Sequence, residues 1–136
     1  MKLVRFYYTK IFAEKESEEM KNLKIESALN IKSIKELPQN SKSDVSFLEF
    51  TFFSGLNYSE KIAKIELEGK MILSFNSKEA KEILKNWKKK EIKEELKLTL
   101  FNGILNKTNV KSLELEEELN LPPHFRLPSL TLPKKE

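Results

Sequence analysis

One histidine, His124, and one aspartate, Asp44, are the whole supply of those side chains in this 136-residue chain, and cysteine is absent. A Ser-His-Asp hydrolase would need both, yet no serine lies in the glycine-flanked turn that exposes such a nucleophile. His124 reads instead as an ordinary residue of the proline-rich end of the chain. Thiol nucleophiles, disulfides and cysteine-bound zinc are excluded outright. Glu114, Glu116, Glu117 and Glu118 offer oxygen ligands to a hard cation, but a helical run of glutamates without His or Asp partners reads as a solvated face. Three isolated glycines cannot build a phosphate-cradling loop. No catalytic residue, metal or cofactor is expected, and so no enzyme.

What remains is binding chemistry carried by aromatics and lysines. Lys88-Lys89-Lys90 beside Trp87 could meet nucleic-acid phosphates or an anionic membrane surface; equally, it suits the end of a helix, where cations meet the negative pole of the macrodipole. Phe6, Tyr7, Tyr8 and Phe12 could stack bases on a sheet, although no RNP-like glycine-aromatic pattern accompanies them, and packing is the better reading. The net charge of +4 permits an anionic partner. However, 23 of the 25 basic residues are lysine and only Arg5 and Arg126 are arginine, whereas phosphate-reading surfaces concentrate arginine as well. Nucleic-acid binding is the secondary expectation, and a structural subunit of a larger assembly the other alternative.

The elements that position these residues divide near residue 76, with β-branched and aromatic runs before it and helical patterns after it, which predicts an α+β domain. In the first strand Val4, Phe6, Tyr8 and Phe12 share one face at period two, with Tyr7 and Ile11 opposite. A polar connector from Glu14 to Asn22 leads to Leu23, Ile25, Leu29 and Ile31, which alternate with polar residues until the phase slips at Ser33-Ile34, where a bulge would absorb it. Pro38 to Asp44 is the clearest turn cluster. The third strand, Val45 to Phe53, sets Leu48, Phe50 and Phe52 against Val45, Phe47 and Phe53. After a connector from Ser54 to Glu60, Ile65, Leu67, Met71 and Leu73 form the apolar face of a fourth strand. Gly69 on that face would mark a bulge or a close crossing by a helix.

Asn76-Ser-Lys-Glu79 has capping-box spacing and opens a helix with the stripe Ala80, Ile83, Leu84 and Trp87. A second helix is predicted from about Glu91 to Leu119. Its stripe is Ile92, Leu96, Leu100, Phe101, Ile104 and Leu105, a polar interval at 106–109, then Val110, Leu113 and Leu115. Gly103 inside it costs about 1 kcal/mol of helix propensity relative to alanine, which points to a close packing contact. Four prolines in the last stretch make residues 120–136 an extended strap. The expected layout is one domain: antiparallel sheet over 1–75, helices over 76–119, then the strap.

Two strands are apolar on both faces, so two helices on one face leave aromatics on the other. That face needs a second subunit or an extended apolar polypeptide to cover it. The candidate contacts are Tyr7, Phe47 and Phe53 on the second face and Phe125 in the strap. No apolar run approaches the roughly 20 residues needed to span a bilayer, and charges punctuate the first 18 residues, so a soluble cytoplasmic protein with no membrane partner is expected.

Three stretches carry a family resemblance: Arg5-Phe-Tyr-Tyr-Thr-Lys-Ile-Phe-Ala-Glu14, Ile65-Glu-Leu-Glu-Gly-Lys-Met-Ile72 and Leu121-Pro-Pro-His-Phe-Arg-Leu-Pro128. In this order, with a strand meander, helices and a Pro-Pro strap, the chain resembles the SecB-like family, the export-chaperone fold. It looks closest to short archaeal-type relatives sharing the Ile-Glu-x-Glu-Gly strand and the Leu-Pro-Pro strap. The resemblance implies assembly into dimers or tetramers and ATP-independent binding of unfolded polypeptides along apolar grooves. Two departures stand out: this chain is basic where the bacterial export chaperone is acidic, and it ends in Pro133-Lys-Lys-Glu136 with no recognisable acidic tail for a SecA partner. Delivery of preproteins to a translocase is therefore not carried over.

Overall fold

The computed structural model describes residues 1–19, 22–39, 44–59, 61–130 and 132. Four long strands come first: β1 (Lys2–Lys15), β2 (Ile25–Glu36), β3 (Val45–Tyr58) and β4 (Ala63–Asn76). Two helices follow, α1 (Ser77–Trp87) and α2 (Glu94–Glu118). The strands form one antiparallel sheet in the order β1-β4-β3-β2, which leaves β1 and β2 as edges. This is the expected α+β arrangement. The Pro38–Asp44 turn cluster, the end of the first connector and Pro133 to Glu136 lie wholly or partly outside the described residues.

Strict alternation decides which face of β3 and β4 the helices cover. Leu48, Phe50, Phe52, Leu56 and Tyr58 from β3 are buried with Ile65, Leu67, Met71, Leu73 and Phe75 from β4. Each fully buried side chain of this size contributes about 1.5–3 kcal/mol of transfer free energy. β3 runs five residues beyond Phe53, because Leu56 and Tyr58 keep the apolar period through a stretch whose Ser, Gly and Asn residues read as a connector. Local turn propensity there loses to pairing with β4 across the register Leu56↔Ile65 and Tyr58↔Ala63.

Both edge strands carry register shifts. The one in β2, between Ile31 and Ser33, absorbs the phase slip and returns Ile34 to the core. β1 carries two: one between Leu3 and Arg5 takes Val4, expected on the face of Phe6 and Tyr8, out of the pairing, and one between Tyr8 and Lys10 overturns a second reading of the sequence. Phe12 pairs with Glu66 and leaves the face it was expected to share with Phe6 and Tyr8, while Ile11 pairs with Leu67. An extra residue in a strand inverts every later side chain, and period-two counting cannot see it.

The helices pack over two apolar clusters. α1, with Ala80 buried, and the first half of α2, with Leu100 and Ile104, cover Leu48, Phe50, Phe52, Met71 and Phe75. The second cluster holds Leu56, Tyr58, Ile65 and Leu67 together with Leu121 of the strap, and Leu115 and Leu119 pack against it. Asn76 caps α1 as its spacing implied: its side chain accepts from the Glu79 N–H at 2.8 Å. Each helix ends in paired backbone bonds around a left-handed residue. Lys90 (φ 59°) closes α1 and Asn120 (φ 54°) closes α2.

α2 departs from its predicted stripe. Leu105 and Val110 are exposed, and the buried line is Leu100, Ile104, Thr108, Ser112 and Glu116. A repeat of four precesses about 40° per step on a helix of 3.6 residues per turn, so this line winds round the helix toward the strap. The polar interval at 106–109 does not interrupt the helix. Gly103 also differs from expectation: a Cβ there would find only the Met71 sulfur, at 3.9 Å. Gly103→Ala is therefore expected to stabilise the protein by up to about 1 kcal/mol, read as a raised urea midpoint with unchanged slope. A lowered midpoint would mean that the helix needs the glycine.

Candidate functional site

The face of the sheet opposite the helices carries the open aromatics. Alternation and register place Tyr7 and Phe12 of β1 and Phe47 and Phe53 of β3 on this face. All four are partly exposed, and no element among the described residues lies over them. Tyr7, Phe47 and Phe53 thus share a surface as expected, with Phe12 added by the β1 register shift. Phe47 and Phe53 are six residues apart on one strand, about 20 Å.

Charged side chains fill the spaces between the rings. Ion pairs cross the strands from Lys10 to Glu66 at 3.5 Å, from Lys70 to Glu49 at 3.0 Å and from Lys32 to Glu68. The Arg5 guanidinium lies 4.5 Å from the Tyr7 ring centroid, Lys10 and Lys64 flank Phe12 at 5.7 and 5.4 Å, and Lys32 lies 5.4 Å from Phe53. Lys32 holds the Glu68 carboxyl below the usual carboxylate range through its hydrogen bond. Glu49 likewise raises the Lys70 ammonium through a hydrogen bond. The lysine stems shield the rings while their heads stay in water, and they can swing aside at the small cost typical of exposed ion pairs.

Phe125 is not part of this surface. It stands in the strap, 40% exposed, edge-on to His124 with ring centroids 4.8 Å apart. Leu127, Leu130 and Leu132 beyond it are also exposed.

The strap is fixed by a polar network that reading the sequence missed. Glu116 is 1% exposed, against the expectation of a solvated glutamate run; Glu114, Glu117 and Glu118 do face solvent. The Tyr58 hydroxyl donates to one Glu116 carboxylate oxygen, and His124 Nδ1 lies 2.8 Å from the other. His124 Nε2 lies 2.9 Å from Asn109 Oδ1. The lone histidine is therefore the strap's anchor, with Glu116 and not Asp44 as its carboxylate. Burial and Glu116 push the Tyr58 phenol far above its ordinary range, which keeps it a neutral donor. The four-residue spacing of Thr108, Ser112 and Glu116 behind Leu100 and Ile104 is the one signal that could have exposed the buried glutamate.

Lys88-Lys89-Lys90 forms the turn that closes α1, and the Lys90 ammonium folds to 4.6 Å from the Trp87 ring centroid. No helix among the described residues is long and apolar enough to cross a membrane.

A four-stranded antiparallel sheet followed by two helices matches the fold of a SecB-like chaperone. The solved structure that shows this is the Mycobacterium tuberculosis Rv1957 SecB-like chaperone in complex with a ChAD peptide from Rv1956 HigA1 antitoxin. It superposes with a TM-score of 0.51 over 97% of this chain and 91% of that one. The two sequences are 12% identical, so the likeness is one of fold. No protein-family model matches the chain, and no curated protein matches its sequence.

Proposed function

We propose that this protein binds unfolded or extended polypeptide without ATP, as a chaperone-like holdase, and that it works as a dimer or tetramer. The observation that carries the reading is the open sheet face, where Tyr7, Phe12, Phe47 and Phe53 stand with no element of the described residues above them. Burying such rings against a client's apolar side chains supplies affinity, and the lysines and glutamates between them keep the empty face soluble. The unpaired edges of β1 and β2 add backbone hydrogen bonding to an extended segment. The SecB-like neighbour, solved with a peptide, supports the same reading at the level of the fold.

The test is titration of a fluorescently labelled, permanently unfolded polypeptide followed by anisotropy at low and high salt. Apolar burial predicts saturable binding that changes little with salt, whereas a phosphate-type electrostatic contact loses affinity steeply. Phe47→Ser combined with Phe53→Ser should weaken client binding at least tenfold with circular dichroism unchanged. If that variant unfolds, the two rings belong to the core and the binding face lies elsewhere.

A further inference from the structure

A cavity of about 360 Å³ opens where α1 turns toward α2, beside the β2 edge. Its apolar walls are Ile31, Trp87, Ile92 and Phe101, and its charged side chains are Lys90 and Lys97. No carboxylate is among its lining residues. Lys90 lies over Trp87 at 4.6 Å and Lys97 over Phe101 at 5.6 Å, so both ammonium groups cover faces of the rings that wall the cavity. The left-handed conformation of Lys90, closed by bonds from Lys90 N–H to the Trp87 carbonyl and from Glu91 N–H to the Asn86 carbonyl, sets that geometry in the backbone. Across Ile92 a second cavity, of about 260 Å³, has the opposite sign, with Glu79, Glu82, Glu91 and Glu95 around an apolar floor. There Lys93 is drawn to Glu82 at 2.6 Å.

Resting on the polypeptide-binding reading, we infer that the Trp87–Phe101 cavity takes an apolar side chain from an acidic segment of the client, whose carboxylates pair with Lys90 and Lys97. Charge complementarity argues for that occupant. A carboxylate two or three residues from a buried leucine reaches ammonium groups displaced from the ring faces, while a cationic segment meets like charge here and opposite charge across Ile92. The pair of cavities thus sorts client segments by sign, with acidic ones on the Trp87 side.

Trp87 is the sole tryptophan, so its fluorescence reports occupancy of this cavity directly. The experiment titrates two short Trp-free peptides, identical in leucine content and bearing either glutamates or lysines, into the wild type and two double variants. The expected result is saturable change in Trp87 emission with the acidic peptide, at least tenfold tighter than with the basic one. Lys90→Glu with Lys97→Glu should abolish that preference, while Lys35→Glu with Lys61→Glu, an equal change in net charge elsewhere, should preserve it. Equal binding of both peptides, or equal loss in both variants, overturns the inference. So does an oligothymidylate that displaces the acidic peptide at lower concentration, which would make the cavity a nucleic-acid site. If neither peptide perturbs Trp87 but the unfolded polypeptide still binds, only this inference falls; if that binding is absent too, the polypeptide-binding reading falls with it.

Discussion

Glu116→Ala is expected to destabilise the protein by several kcal/mol and to free the strap, because it leaves two buried hydrogen-bonding groups without their partner at a cost of about 1–3 kcal/mol each. The carboxylate sits at 1% exposure between the Tyr58 hydroxyl and His124 Nδ1. His124 bridges two elements of the network, with Nδ1 on Glu116 and Nε2 on Asn109 Oδ1. Alanine would leave His124 Nδ1 and the Tyr58 phenol without the carboxylate they share. Glu116→Gln keeps the shape and one acceptor, and should lose less. Glu114→Ala, which removes an exposed partner of Lys111, should cost no more than about 1 kcal/mol. Urea unfolding gives the three values, and limited proteolysis after Phe125 or Arg126 reports strap release. Equal midpoints for Glu116→Ala and Glu114→Ala would show that the network holds nothing.

The same network sets a pH response. The folded Tyr58 holds its proton more tightly than the unfolded chain does, because burial and the neighbouring carboxylate both oppose the phenolate. Its stabilising contribution is therefore complete below the ordinary tyrosine value near 10 and is lost as the pH rises beyond it. Alkaline melts of the wild type should fall more steeply above that point than melts of Tyr58→Phe.

Gly69→Ala should be nearly as damaging, and for a steric reason. A methyl at Gly69 would overlap the carbonyl oxygen of Tyr7 and stand 2.7 Å from the Phe52 ring edge. The carbonyl belongs to β1, which cannot retreat without breaking the Tyr8↔Gly69 register. Nor can the ring move freely, since Phe52 stacks on Phe6 at 5.1 Å and meets Tyr8 edge-on at 6.3 Å. Overpacking of this kind costs about 1–3 kcal/mol. Gly55→Ala is the control, because there the close neighbour of the added methyl is the far end of the Phe53 side chain on the open face, and the Ile65 carbonyl oxygen at 3.6 Å is in ordinary contact. Thermal unfolding should fall by several degrees more for Gly69→Ala; equal shifts would place the constraint in strand propensity, not in the Phe52 ring.

The regular parts of the fold were legible because they obey one-dimensional rules. Period-two alternation marked β4, the slip at Ser33-Ile34 marked the β2 bulge, and Asn76 and Glu79 marked the start of α1. Gly69 was expected to mark a bulge or a close helix crossing; a β1 register shift begins at its partner Tyr8, and the atoms nearest an added methyl belong to the β1 backbone and the Phe52 ring, not to a helix. Phe12 and Glu116 were misplaced for different reasons. A single inserted residue in β1 turned Phe12 outward, and Glu116 is buried by Tyr58 and His124, which lie 58 and 8 residues away in sequence.

By itself, then, the sequence determined the α+β class, the order of elements, the aromatic character of the second sheet face, and the placing of Tyr7, Phe47 and Phe53 upon it. Those properties follow from local periodicity, which the backbone geometry of strands and helices imposes on any chain. Only the tertiary structure decided that Phe12 joins that face, that Phe125 does not, that the lone histidine pins the strap to a buried glutamate, and that lysines and aromatics meet at the α1–α2 turn. Each of these depends on which distant residue comes alongside. Strand register and the winding of α2 set that pairing through packing, and no window of neighbouring residues contains it.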